Sequence, residues 1–286
     1  MTETRLSEKR LTQARSYFVV KANELASRSR YSLTLQQQKI LAYLIAQIKP
    51  DDEPDTLYEL DIKDFIWVCG LTDNSGHYYQ TIKKDIDIID NVKCYIEVPD
   101  GKRIKEVRFR WLDRIEMNRG TGKIYISFHH SVSHYLFGLI DRNVGRIQYE
   151  FLLALCFTKE YTGSVYEYCL RNKYRGVVEV ELEWFKKHIS AEKYVKISHF
   201  KDRALEPAIE DINTYSDIIV DVNYKKTGRV ITHLILSIRD KTDTEYLVRG
   251  RIADRKLNPE TRKERREIIK RIEEKLNQER EETADD

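Results

Sequence analysis

"HFKDRALEPAIEDINTYSDIIVDVNYKKTGRVITHLILSI", His199 to Ile238, holds a helix, a strand, a basic turn and a second strand in that order. Leu205, Ala208, Ile209 and Ile212 share one helical face at about 100° per residue. Arg203 falls nearly opposite that face, with His199 and Glu206 on its flanks. Lys201 lies nearer the apolar side, where it suits a phosphate better than a base. Pro207 has no N–H to offer the Arg203 carbonyl, so a kink is expected there. "KKTGR" then groups Lys225, Lys226 and Arg229 around Gly228, a residue that tolerates the positive φ of a tight hairpin turn. A buried helix–hairpin unit needs no cations at these places. A winged helix laid on DNA does, because its last helix enters the major groove and its hairpin reaches the adjacent backbone.

The same order of elements occurs earlier in the chain. "TLQQQKILAYLIAQI" is an amphipathic helix with Leu41, Leu44, Ile45 and Ile48 on one face, and Thr34 with Gln37 fits a capping box at its start. "LYELDI" reads as a strand, "IKDFIWVCGL" and "SGHYYQTIKKDIDIID" as two helices, and "KCYIEV", "VRFRWLDRIEMN" and "KIYISF" as strands. "FVVKANELASRS" suggests a short leading helix. In the second half, "YEFLLALCFT" and "GSVYEYCLRNKY" are helical, "VVEVEL" is a strand and "LEWFKKHI" a helix. "ELDIKDF" matches "EVELEWF" at an offset of 185 − 65 = 120, and "DIDIID" matches "AIEDIN" at 209 − 86 = 123. Two near-equal offsets with one element order indicate a duplicated module.

The fold class expected is therefore α+β, two tandem winged helix-turn-helix domains with a charged C-terminal helix. The expected division is a flexible leader over 1–16, a first domain over 17–142, a second over 146–240, and a linker with the charged helix over 241–286. In that last segment Asn258 and Pro259 read as N-cap and N1, with a narrow stripe of Ile268, Ile269, Ile272 and Leu276. It reads equally as a solvated helix docked on the second module and as a pairing helix.

In the first module Ile82, Ile86 and Ile89 point inward, and His77, Gln80 and Lys84 point outward. Gln80 occupies the place of Arg203. Arg suits guanine and Gln suits adenine as bidentate readers. Tyr78 and Tyr79 are expected to pack, since duplex DNA offers few free base faces. "PDGKRIK" sets Lys102, Arg103 and Lys105 after an Asp-Gly turn. A single surface Arg is usually only a solvated charge. Two basic hairpin tips, each after a candidate recognition helix, are the clustering that phosphate neutralisation requires.

The chain has 286 residues, 41% hydrophobic and 34% charged, with a net charge of only +3, so local clusters matter more than the sum. No apolar run approaches the roughly 20 residues of a membrane span. The polar start "MTETRLSEKRLTQAR" is not a secretory signal, and a cytoplasmic protein is expected. Cys69, Cys94, Cys156 and Cys169 have no CxxC spacing and read as buried thiols. "FHHSVSHY" brings His129, His130 and His134 together, but adjacent histidines face opposite sides of a strand, and no carboxylate follows at ligand spacing. There is no GxxxxGK[ST]. No catalytic residue, metal or cofactor is expected.

"LTLQQQKILAYLIAQI", "FKDRALEPAIEDIN" and "KKTGRVITHLILSI" resemble the iteron-binding Rep initiators of theta-replicating plasmids, over about Phe18 to Asp240. The resemblance implies binding of direct repeats in double-stranded plasmid origin DNA, melting of nearby AT-rich DNA, and recruitment of the host initiator and replicative helicase. It also implies repression of the protein's own gene by a homodimer formed through the first domain. Asp202 stands where relatives often carry a base, and the extension past Asp240 is outside the shared region. The alternative is a tandem winged-helix transcription regulator with no replication role, which needs the same DNA-reading surface.

Overall fold

The Thr34 hydroxyl accepts the Gln37 amide while the Gln37 side chain accepts the Thr34 amide, closing the expected capping box. The computed structural model describes residues 14–15, 17–71, 76–118 and 120–257. The chain runs β1 (Phe18–Ala22), α1 (Asn23–Arg28), β2 (Ser29–Arg30), α2 (Leu35–Ile45), β3 (Tyr58–Asp61), α3 (Ile62–Val68), α4 (Gly76–Asn91), β4 (Lys93–Asp100), β5 (Arg103–Arg110), β6 (Leu112–Met117), β7 (Lys123–Phe128) and α5 (His130–Ser133). It continues through β8 (Arg146–Glu150), α6 (Phe151–Cys156), α7 (Thr162–Asn172), β9 (Val177–Glu181) and α8 (Leu182–His188). A composite helix follows: α9 (Ile197–Phe200), a π-turn (Lys201–Leu205) and α10 (Glu206–Tyr215). Last come β10 (Ile218–Thr227), β11 (Val230–Asp240) and α11 (Asp243–Leu257).

Two winged-helix modules are present. Helices α2, α3 and α4 with the β4–β5 hairpin form the first; α7, α8 and the composite helix with the β10–β11 hairpin form the second. The duplication extends to the caps. Asp61 accepts the amides of Lys63 and Asp64 at the start of α3, and Glu181 accepts those of Glu183 and Trp184 at the start of α8. An acidic side chain there satisfies two orphan donors and meets the positive end of the helix dipole.

The modules differ in what braces the wing. In the second, β9 pairs with the wing strand β11, from Ser237↔Val177 to His233↔Glu181. In the first, β3 pairs instead with β7, and β6–β7 forms a separate three-stranded sheet with it. "VRFRWLDRIEMN" is accordingly two strands rather than one. It breaks at Trp111, whose wholly buried indole anchors the corner and whose carbonyl accepts the His129 amide. "FVVKANELASRS" also divides: Phe18–Ala22 is a strand, not helix, pairing antiparallel with Arg146–Glu150. The β1–β8 ladder therefore crosses the division at 142–146. Under it, the buried Lys21 Nζ and the Tyr149 hydroxyl both donate to Glu167 Oε1, each at 2.6 Å. The C-terminal stripe Ile268–Leu276 and its Asn258 cap lie outside the described residues, as do residues 1–13.

His188 closes α8 against the first module. Its ring stacks on Trp184, with centroids 5.1 Å apart, and is buried. Burial holds the imidazole down at about 4, against a weaker upward pull from a hydrogen bond with the Ser29 backbone. The neutral ring is the form the fold prefers. Its contribution is complete above about pH 6.5 and declines as pH falls toward 4, because the unfolded chain takes up the proton first. The full gap is worth roughly 3 kcal/mol. His188→Phe should keep the stacking and flatten the acid limb of stability between pH 6.5 and 4, read by urea unfolding at several pH values. An unchanged limb would assign acid sensitivity to other groups.

Candidate nucleic-acid interface

The composite helix buries Phe200, Ala204, Leu205, Ala208, Ile209 and Ile212, and turns His199, Asp202, Arg203 and Glu206 outward. The irregularity expected at Pro207 takes the form of a π-turn. The Glu206 amide donates to the Lys201 carbonyl five residues back. Proline supplies no donor at the next position, so the widened turn stands where an α-turn would have left a carbonyl bare. Arg203 sits in the middle of this turn, exposed.

Widening also changes who meets whom. Residues five apart lie on different faces of a regular α-helix. Here Lys201 Nζ comes 3.5 Å from Glu206 Oε1 and 4.2 Å from the centroid of Tyr224 on the wing. The Tyr224 hydroxyl donates to the same carboxylate oxygen at 3.2 Å, and burial plus that carboxylate raise its pKa. Lys201 thus fastens the helix to the root of the wing.

Further out, Lys225 Nζ lies 2.6 Å from Glu179 on β9, and its hydrogen bond holds the Glu179 carboxyl below the usual range. Lys226 and Arg229 are exposed beside Gly228, whose φ is +62°, and make no ion pair among the described residues. The register shifts between Lys225 and Lys226, which turns the tip relative to the braced part of the hairpin.

In the first module, α4 buries Ile82, Ile86 and Ile89 and exposes Gln80 and Lys84. The side chain of His77 lies outside the described residues. Tyr78 and Tyr79 are half-buried, and Lys83 stands over the Tyr79 ring at 4.3 Å. The β4–β5 hairpin turns at Gly101, φ +60°, and leaves Lys102, Arg103 and Lys105 exposed with no ion pair among the described residues. Each tip also exposes one β-branched residue that the sequence pattern does not flag, Ile104 at 73% and Val230 at 65%. Strand alternation makes such residues look like core, and only their place beyond the last bracing strand marks them. His129, His130 and His134 sit beside α5; among the described residues no group of three or more His, Cys, Asp or Glu could hold a metal.

Two helix–hairpin pairs, each with a basic tip, define a tandem winged-helix protein. The family model described as "Initiator Replication protein, WH1" matches residues 18–170, and "Initiator Rep protein, WH2" matches 181–238. The chain belongs to this family of replication initiators, which disfavours a transcription regulator with no replication role. Its fold is that of the Pi initiator protein crystallised in complex with iteron DNA, with TM-score 0.63 and 17% identity over 80% of this chain and 99% of that one. Domains 2 and 3 of RctB match at TM-score 0.44, with 16% identity over 74% of this chain and 85% of that one. No helix among the described residues is long and apolar enough to cross a membrane.

The π-turn has a measurable price in stability. Pro207→Ala restores the missing donor and lets Lys201–Leu205 relax to α-helix, so stability should rise by roughly 1–3 kcal/mol. Urea unfolding checks this. A fall would mean that the surrounding packing, rather than proline, imposes the turn.

Proposed function

We propose that this chain starts plasmid replication by binding direct repeats in double-stranded origin DNA, each module laying one helix in a major groove. The observation that carries the reading is the pairing, in both modules, of an exposed reader (Gln80 or Arg203) with a hairpin whose tip cations make no ion pair among the described residues. Arg203 and Gln80 address base edges; Lys84, Lys102, Arg103, Lys105, Lys226 and Arg229 neutralise phosphates. His199 and His77 flank the readers. Lys201 and Lys225, tied to Glu206 and Glu179, contribute less to affinity because each already has its counter-charge. Melting of AT-rich DNA, recruitment of the host initiator and helicase, and self-repression by a dimer follow from the family resemblance as parts of the same reading. No catalytic role is assigned to any residue.

Footprinting of the purified full chain on DNA flanking its own gene tests this. Protection should fall on direct repeats and cover two successive major grooves, about 10 bp apart. Absence of protected repeats would sink the reading.

Arg203→Ala should cost ~1–3 kcal/mol on the cognate repeat and relax preference at one base position. An equal fall in affinity on cognate and scrambled DNA would make Arg203 a phosphate ligand.

Replacing Lys226 and Arg229 together by Ala should lower the log–log salt slope by ~0.9 for each phosphate that the wing no longer neutralises. Adding Lys225→Ala should lower it less than either. A third decrement of the same size would show that Glu179 releases Lys225 on binding.

A further inference from the structure

Helix α11 lies beyond both family matches, yet it is fastened at both ends. At its start, Thr242 and Glu245 form a reciprocal cap, and Arg239 of the wing strand β11 grips the Glu245 carboxylate with two nitrogens at 2.8 and 2.9 Å. Along its length the buried Arg249 stands over Tyr246 and 3.8 Å from Glu150. At its end Lys256 donates to the Cys156 carbonyl and covers the Tyr215 ring, while Ala253 and Leu257 are buried.

The far end lands on the first module's helix-turn-helix. Arg15 donates to the carbonyls of Trp67 and Val68, at the end of α3, and to that of Leu257. Gly70, the next turn residue, packs so closely on Leu257 that a Cβ would fall 2.8 Å from its oxygen and 2.9 Å from its Cα. A helix of 15 residues spans about 22 Å. It runs from the end of the second module's wing strand to the turn that precedes the first module's recognition helix.

We infer that α11 is a strut that fixes the angle between the two recognition helices, and that Arg15, Gly70 and Lys256 are positioning residues for the spacing of DNA the protein accepts. A tethered pair of readers gains from its second site only if the linkage holds the second helix in phase with its groove. The β1–β8 ladder joins the modules near their first helices. The helix–turn–helix of the second module also meets the first at His188 beside the Ser29 backbone and at Lys187, 3.9 Å from Glu97 of the first wing. The strut adds a connection from the second module's wing strand to the first module's helix-turn-helix. The inference rests on the reading that both modules bind one duplex.

The test uses the full chain. Gly70→Asn keeps a residue that tolerates positive φ but puts a Cβ against Leu257; Arg15→Ala removes the hydrogen bonds to Trp67, Val68 and Leu257; Arg15→Lys restores one cation. Spin labels on Asp87→Cys and Glu210→Cys, both exposed helix positions, report the distance between α4 and α10. Of the native thiols, Cys94, Cys156 and Cys169 are buried, and the half-buried Cys69 is replaced by Ala in every labelled chain, wild type included. Wild type should give one narrow distance; Gly70→Asn and Arg15→Ala should broaden or shift it, and Arg15→Lys should recover part. In DNA binding, inserting 2 bp between the two occupied grooves rotates one by about 70°. Wild type should lose about tenfold or more in affinity, whereas the strut variants should bind the original and the inserted repeat within about threefold of each other. General destabilisation would weaken both DNAs and leave their ratio alone. Wild-type distances and a wild-type spacing ratio in both variants would overturn the strut. A wild type indifferent to insertion would instead sink the two-module reading, and the distance measurement would still decide the strut.

Discussion

Glu167 is the point on which the two modules depend. It is buried in α7, and one of its oxygens accepts from Lys21 of β1 and from Tyr149 of β8. A buried ion pair gains little over a well-packed apolar trio, because desolvation offsets most of the attraction. Removing either partner is another matter, at roughly 3–5 kcal/mol, since the remaining charge has nowhere to go. The pair therefore adds little net stability, while its loss would be costly, and it ties β1, β8 and α7 together at one point. The first strand, the strand that opens the second half and the first helix of the second module must come together in one way. Asp211 does the same for the composite helix of the second module. Buried in α10, it accepts from the Thr158 amide and hydroxyl, the Lys159 amide and the Thr162 hydroxyl, which sets the recognition helix against the start of α7.

Much of this is legible in the sequence because it is encoded locally. The inward stripes Ile82–Ile86–Ile89 and Leu205–Ile209–Ile212 follow from helical period, and Gly101 and Gly228 mark turns that need positive φ. The Thr34 cap is plain from spacing. So is the missing donor at Pro207, although whether the chain kinks or widens depends on packing around Leu205. What is not legible depends on partners distant in sequence. The Lys225–Glu179 pair is 46 residues apart, and nothing in "KKTGR" distinguishes the tied lysine from its neighbour. Lys201 and Glu206 are misleading for a different reason, since they meet only because the helix is locally wider. The sheet switch at Trp111 hides inside an unbroken alternation. Helix α11 does carry a local signal, the Thr242–Glu245 capping pair immediately after β11.

The two halves have kept their order of elements while diverging in support. In the second, β9 braces the wing as far as His233, so only the tip projects. In the first, the bracing strand has been drawn into another sheet, and besides its own hairpin partner β4 is paired, among the described residues, only with the two-residue β2. The first wing is thus the less supported of the two, held chiefly by its own ladder from Lys93↔Arg110 to Asp100↔Arg103.

The π-turn at Lys201–Leu205 separates two demands that a regular helix would mix. Its inward residues are committed to the core, and the outward ones beside them, His199, Asp202 and Arg203, point away from anything the fold needs. Such a division makes the outward surface mutable. If this surface reads DNA as proposed, a lineage whose repeat changes can follow with substitutions at the exposed His199, Asp202 and Arg203, while Pro207 preserves the frame that presents them. Specificity can then drift quickly within a scaffold that barely changes.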